Sequence, residues 1–178
     1  MPVVPAPPVA TTGVYASSAI SALIASVNFA LNKPVASVYC VAAQSVPNAS
    51  FTPLNFDTER VDTDPDGVGG HSTSVNNSRF TARYPGWYRV SGRYPYAANA
   101  TGFRAVVIAV NSIQVNETLA FGSTPNGGLS QHVGTDGEVF LNTNDYVEIL
   151  GEQSSGAGLN TDTANSAFPR MTVEWSRN

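Results

Sequence analysis

The sequence predicts an all-β domain, an antiparallel sandwich of the jelly-roll kind, preceded by an extended arm and one short helix. Three observations predict it. The stretch Ser78–Asn111 holds short runs rich in Tyr, Trp, Val and Phe, broken by Pro-Gly and Asn-Ala-Thr-Gly turns, which is the composition of strands on a pleated, half-buried surface. Similar runs recur to the C-terminus at the spacing of roughly eight to ten short strands. Only the segment before Lys33 breaks the pattern, changing first to proline and then to helical period.

The elements follow in order. Residues Met1 to Thr12 carry Pro2, Pro5, Pro7 and Pro8. Such a composition favours an extended, polyproline-like arm with few internal contacts, so residues 1–12 are expected to serve as a docking arm. Residues 13–34 then place Ala16, Ile20, Leu23, Ile24, Val27 and Leu31 at helical spacing, opposite a face of Ser17, Ser18, Ser21, Ser26 and Asn28. No charged residue precedes Lys33, although a lone amphipathic helix normally wets its outer face with charge. Ile20, Leu23, Ile24 and Val27 are therefore expected to dock on a partner, and Pro34 ends the helix.

Residues 35–178 form the β domain. Ala36 to Ala43 reads as its first strand and Phe51 to Arg60 as a second, with Asp57 to Gly70 a long polar loop. Arg79 to Arg83 alternates, Tyr84-Pro85-Gly86-Trp87 turns, and Trp87 to Tyr94 and Phe103 to Asn111 follow as strands. Ile113 to Phe121 reads as one strand. Leu129 to Val133 and Glu138 to Leu141 read as two, split by Gly134-Thr135-Asp136-Gly137. Asn144 to Gly151 and Arg170 to Ser176 complete the set, with a Gly/Ser/Asn-rich loop between them.

Composition narrows the function. The chain has 178 residues, 42% of them hydrophobic and 12% charged, against about 25% charged in ordinary soluble domains. A surface so poor in charge fits a chain partly hidden in an oligomer or larger assembly. A net charge of −4 and the lack of any Lys/Arg block argue against nucleic-acid binding. No apolar run reaches the ~18 residues of a membrane-spanning helix. The N-terminus shows no basic n-region, so no secretory signal is read there and synthesis in a cytoplasm is expected. Cys40 is the single cysteine, which excludes an intrachain disulfide, and its apolar surroundings predict a buried, inert thiol.

Chemistry finds little purchase. Asp62, Asp64 and Asp66 alternate ahead of Gly67 like the opening of a Ca²⁺ loop, but Thr73 stands where the bidentate glutamate belongs. An acidic turn built for backbone reasons is the first reading, and Ca²⁺ the second. His71 and His132 lack any nearby His, Cys or Glu at metal-binding spacing. No nucleophile elbow, zincin helix or phosphate loop occurs, so no catalytic residue, no cofactor and no enzymatic activity are expected. Trp87, Tyr88, Tyr94, Tyr96, Phe103, Tyr146 and Trp175 are read as core or subunit-interface aromatics rather than sugar platforms.

Four segments carry a resemblance: Asn77–Ala97 with its Pro85-Gly86-Trp87-Tyr88, Gly102–Asn111, Gly137–Gly156 and Phe168–Asn178. Their order resembles the jelly roll shared by tumour necrosis factor and the complement globular head. In that family a Pro-Gly-x-Tyr turn opens an aromatic strand, and a later segment reads hydrophobic-x-Gly-Asp-x-Val-x-Leu. Leu141 to Ile149 matches the second pattern with Asn144 in place of the glycine. The helix ending in Leu-Asn-Lys-Pro and phrases such as "SVYCVAAQSVPNASF" are also similar to small virion proteins of tailed phages of actinobacteria. The resemblance implies a homotrimer packed through aromatic sheet faces. It further implies a non-enzymatic structural role on a virion, as capsid decoration or tail or fibre accessory, with other virion proteins as docking partners. The alternative it leaves is a receptor-binding module that reads a host surface glycan through its distal loops.

Overall fold

The computed structural model describes residues 17–123, 128–164 and 167–178. The Pro5, Pro7 and Pro8 arm, and with it the expected docking role of residues 1–12, lies outside them. Helix α1 (Ser17–Leu31) opens the described chain, and its only buried side chain is Phe29. That ring meets Tyr84 at 5.3 Å and Trp175 at 4.8 Å between centroids, both edge-on, the preferred geometry for aromatic pairs.

Thirteen strands are described: β1 (Val35–Tyr39), β2 (Ser45–Val46), β3 (Thr52–Pro53), β4 (Thr58–Thr63), β5 (Phe80–Thr81), β6 (Gly86–Tyr96), β7 (Arg104–Val110), β8 (Ile113–Gln114), β9 (Ala120–Phe121), β10 (Gln131–Leu141), β11 (Tyr146–Gln153), β12 (Leu159–Asn160) and β13 (Arg170–Arg177). One sheet runs β10-β6-β13-β1-β4, and the second runs β3-β11-β7-β8 with β5 added to β11 and β9 to β7. β2 and β12 form a small separate pair. Every ladder between these strands is antiparallel.

The chain crosses repeatedly between the two sheets. β6 lies in the first sheet and β7 in the second, while β1 pairs with β13, joining the two ends of the domain. Between the layers Tyr88, Tyr94, Tyr96, Phe56, Phe80, Leu54, Ile108, Leu141, Ile149 and Met171 are wholly buried. Each such side chain contributes about 1.5–3 kcal/mol of burial, and of the three tyrosine hydroxyls among them, those of Tyr88 and Tyr96 are placed against carbonyls. The Tyr88 hydroxyl donates to Tyr84 O at 2.6 Å, and the Tyr96 hydroxyl lies 2.7 Å from Ala105 O and 2.9 Å from Glu152 O. Arg104 is also fully buried. Its Nη1 donates to Thr101 O and Phe103 O and its Nη2 to Asn99 O, so backbone dipoles hold the charge and pin the 99–103 loop.

Three sequence expectations need correction. Phe51–Arg60, read as one strand running into a polar loop from Asp57, is divided between β3 in one sheet and Thr58–Thr63, an edge strand beside β1, in the other; an edge strand exposes one side and needs no apolar alternation. Ile113 to Phe121 is not one strand, because a 3₁₀ turn at Asn116–Thr118 divides β8 from β9. Conversely, Leu129–Val133 and Glu138–Leu141 are not separated: β10 runs unbroken through Gly134 and Gly137, and Gly137 leaves room for Thr118 Cγ2, which would lie 2.7 Å from a Cβ there. In isolation such glycines signal a turn; here close packing explains one of them.

Candidate functional site

The exposed side of the five-stranded sheet is set by strand alternation. In β6, Tyr88, Val90 and Tyr94 point into the core, so Trp87, Arg89, Ser91 and Arg93 point out. The partner strands place Asp136, Glu138 and Phe140 of β10, and Thr172 and Glu174 of β13, on the same side. An open depression of about 470 Å³ lies among Arg89, Ser91, Asp136, Glu138, Thr172 and Glu174. At one end Trp87 and Phe140 meet edge-on at 5.8 Å, and the Arg177 guanidinium sits 5.3 Å from the Trp87 ring. Trp87 is 36% exposed and Phe140 46%.

A cross-strand ion network adjoins this aromatic pair. Glu138 Oε2 pairs with Arg177 Nη2 at 2.8 Å and Oε1 with Arg89 Nε at 3.2 Å. Hydrogen bonds from Arg177 and Arg89 pull the Glu138 carboxyl down from 4.5 to about 2, a shift of the kind cationic donors produce in a carboxylate. The group is exposed, so the network orders side chains more than it stabilises the fold.

The turn that introduces Trp87 is locked from below. Trp175 Nε1 donates to Pro85 O at 3.2 Å. Gly86 has a φ of 148°, and a Cβ there would press on the Trp175 ring and lie 2.7 Å from Arg177 O. Only glycine fits both demands. The same Trp175 receives Phe29 of the helix on its ring and has Lys33 Nζ 5.3 Å from it. Helix α1 is therefore seated at the Trp87 end of the sheet. Its Ile20, Leu23, Ile24, Val27 and Leu31 are all exposed.

The aromatics singled out in the sequence separate into distinct places. Tyr88, Tyr94, Tyr96 and Trp175 are buried within a single chain and belong to the core. Trp87 lies on the outer face described above. Phe103 is exposed beside Phe121, 5.8 Å away, against the second sheet. Tyr146 is half-buried under the Arg79 guanidinium at 3.9 Å. Phe140, Glu138, Arg89 and Arg177 were not singled out from the sequence. Their signal was the outward alternation of β6, β10 and β13, and their meeting depends on the register between those strands.

The acidic loop uses its carboxylates internally. Asp62 accepts the Gly70 and His71 amides at 3.0 and 2.8 Å, and Asp64 accepts those of Asp66 and Val68 at 2.9 and 3.1 Å. Arg83 pairs with Asp64 at 2.6 Å and with Asp66 at 2.9 Å. Burial raises the Asp62 carboxyl above its ordinary value. The loop's carboxylates are engaged by amides and a guanidinium, and among the described residues no group of three His, Cys, Asp or Glu side chains is gathered. His71 packs its Nδ1 on Glu59 at 2.8 Å and its Nε2 on Asn77 O at 3.1 Å, while His132 Nε2 lies 3.2 Å from Ser130 Oγ. Cys40 is buried, and burial followed by the nearby Asp57 pushes its thiol up to about 11, so it is an un-ionised thiol at neutral pH.

Two antiparallel sheets packed over an aromatic core, with the chain crossing repeatedly between layers and the first and last strands paired, define a jelly-roll sandwich of the tumour-necrosis-factor and complement-head type. Among solved structures, the chain is similar to the globular domain of the zebrafish complement 1qA protein. The TM-score is 0.56 at 15% identity, covering 82% of this chain and all of that one. At that identity the likeness concerns the fold. No protein-family profile and no curated protein matches the sequence.

Proposed function

We propose that this chain is a non-enzymatic, self-associating structural module: a homotrimeric knob on the surface of a tailed-phage virion, facing the particle with its N-terminal segment and serving adhesion or particle stability. The observation that carries the reading is a set of exposed apolar side chains on the sheet and on helix α1. Trp87 and Phe140 on the sheet, and Ile20, Leu23, Ile24, Val27 and Leu31 on the helix, are exposed in a single chain. In a chain with only 12% charged residues, exposed aromatic and aliphatic side chains of this kind fit a surface that has a partner. The jelly-roll fold supports the trimer, and the virion is the setting expected from the sequence resemblance.

Sedimentation equilibrium of the full chain tests the first half. A trimer at micromolar concentration is expected, and a monomer over the whole accessible range would refute it. Quantitative mass spectrometry of purified particles tests the second half. Hundreds of copies indicate capsid decoration, a few trimers indicate the tail, and absence removes the virion from the proposal.

A further inference from the structure

We infer that the outward seam of α1 is covered by the same helix of sister chains, so that three N-terminal helices pack side by side as a short parallel bundle on the trimer axis. This rests on the self-association proposed above and adds the occupant of the helix face.

Spacing is the first argument. Ile20, Ile24, Val27 and Leu31 are exposed and succeed one another at intervals of four, three and four residues. That alternation keeps one apolar residue per turn on the seam of a coiled coil, where Ile20 and Val27 take d positions and Ile24 and Leu31 take a positions. Isoleucine at both a and d, as at Ile24 and Ile20, is a choice that moves helices from pairs towards trimers or tetramers.

Orientation is the second. At roughly 100° per residue, Phe29 points about 140–180° away from each of these four side chains. The helix is therefore fastened to the sandwich by its back, through Tyr84 and Trp175, and offers the seam outward. Ala19, Ala22 and Ser26, on the Phe29 side, are half-buried, while the seam residues are not.

Charge is the third. In a parallel bundle the e and g residues that flank the seam face one another across neighbouring helices. None of the residues of α1 is charged. The flanks are Ser21, Leu23, Asn28 and Ala30, which meet with no charge to repel. A helix meant for an oppositely charged partner would carry charges of its own. The Trp87–Phe140 pair lies at the same end of the sheet as the helix anchor.

Disulfide trapping in the full-length chain tests the inference. Ile24→Cys, on the seam, is expected to give disulfide-linked dimers on mild oxidation. Ser18→Cys, exposed and off the seam, is expected to give at least tenfold less, as is the unaltered chain with its buried Cys40. Ile24→Asp is expected to raise the dissociation concentration of the trimer roughly tenfold or more, since each tenfold is about 1.4 kcal/mol. If sedimentation shows a trimer and Ile24→Cys links no better than Ser18→Cys, the helix bundle is wrong and the trimer stands. If the chain is monomeric throughout, both fall together.

Discussion

Asn144 sits with a φ of 73°, in the left-handed region that ordinary L-residues avoid. Its amide donates to Ala82 O at 2.7 Å, and the neighbouring Asp145 accepts the Asn142 amide at 2.7 Å and the Asn111 side chain at 2.8 Å. Those bonds, with that from Asn111 foremost, hold the Asp145 carboxyl below its ordinary value. The sequence shows an asparagine where the related pattern has glycine, and the conformation explains the exchange: asparagine is the side chain best able to replace glycine there. Asn144→Gly is expected to leave stability within about 1 kcal/mol, whereas Asn144→Val should cost about 1–2 kcal/mol; urea unfolding followed by tryptophan fluorescence measures both.

Single strands decide which residues meet solvent, and here neighbours in sequence have opposite fates. Tyr88 is wholly buried and Trp87 is not. Tyr88→Asp puts an unpaired charge between the sheets and is expected to abolish folding. Trp87→Asp should keep the far-ultraviolet circular dichroism of the parent while weakening self-association in sedimentation. A folded Tyr88→Asp chain would contradict the placement of the core. Across β6, β10 and β13, the Glu138 network responds to acid. Because the Glu138 carboxyl is held near 2 against an ordinary 4.5, its contribution is present above pH 4.5 and is lost as the pH falls from there towards 2. The stability difference between the parent and Glu138→Gln should therefore shrink over that window, and shrink also in 1 M salt.

For the whole molecule, the sandwich was legible because aromatic and β-branched runs between turns announce antiparallel strands. The helix was legible from its period, and the structure places it at Ser17–Leu31. What the sequence hid is what depends on distant contacts. Gly137 packs under Thr118 rather than turning the chain. Thr58–Thr63 becomes a strand because β1 is there to pair with it. The separation of buried Tyr88 from exposed Trp87 follows from alternation, yet the pairing of Trp87 with Phe140 requires the register of β6 against β10. Local pattern carries element type, and tertiary neighbours carry boundaries and surfaces.

The buried Arg104 bears on how this scaffold tolerates change. Its guanidinium is spent on the carbonyls of Asn99, Thr101 and Phe103, so lengthening that loop would strand a charge in the interior. Around Gly67 and Gly156 there is open space, yet their φ of 72° and 92° is a backbone conformation that favours glycine. The 99–103 segment is thus bound to the length it has, and the 67 and 156 tips to the residue they carry.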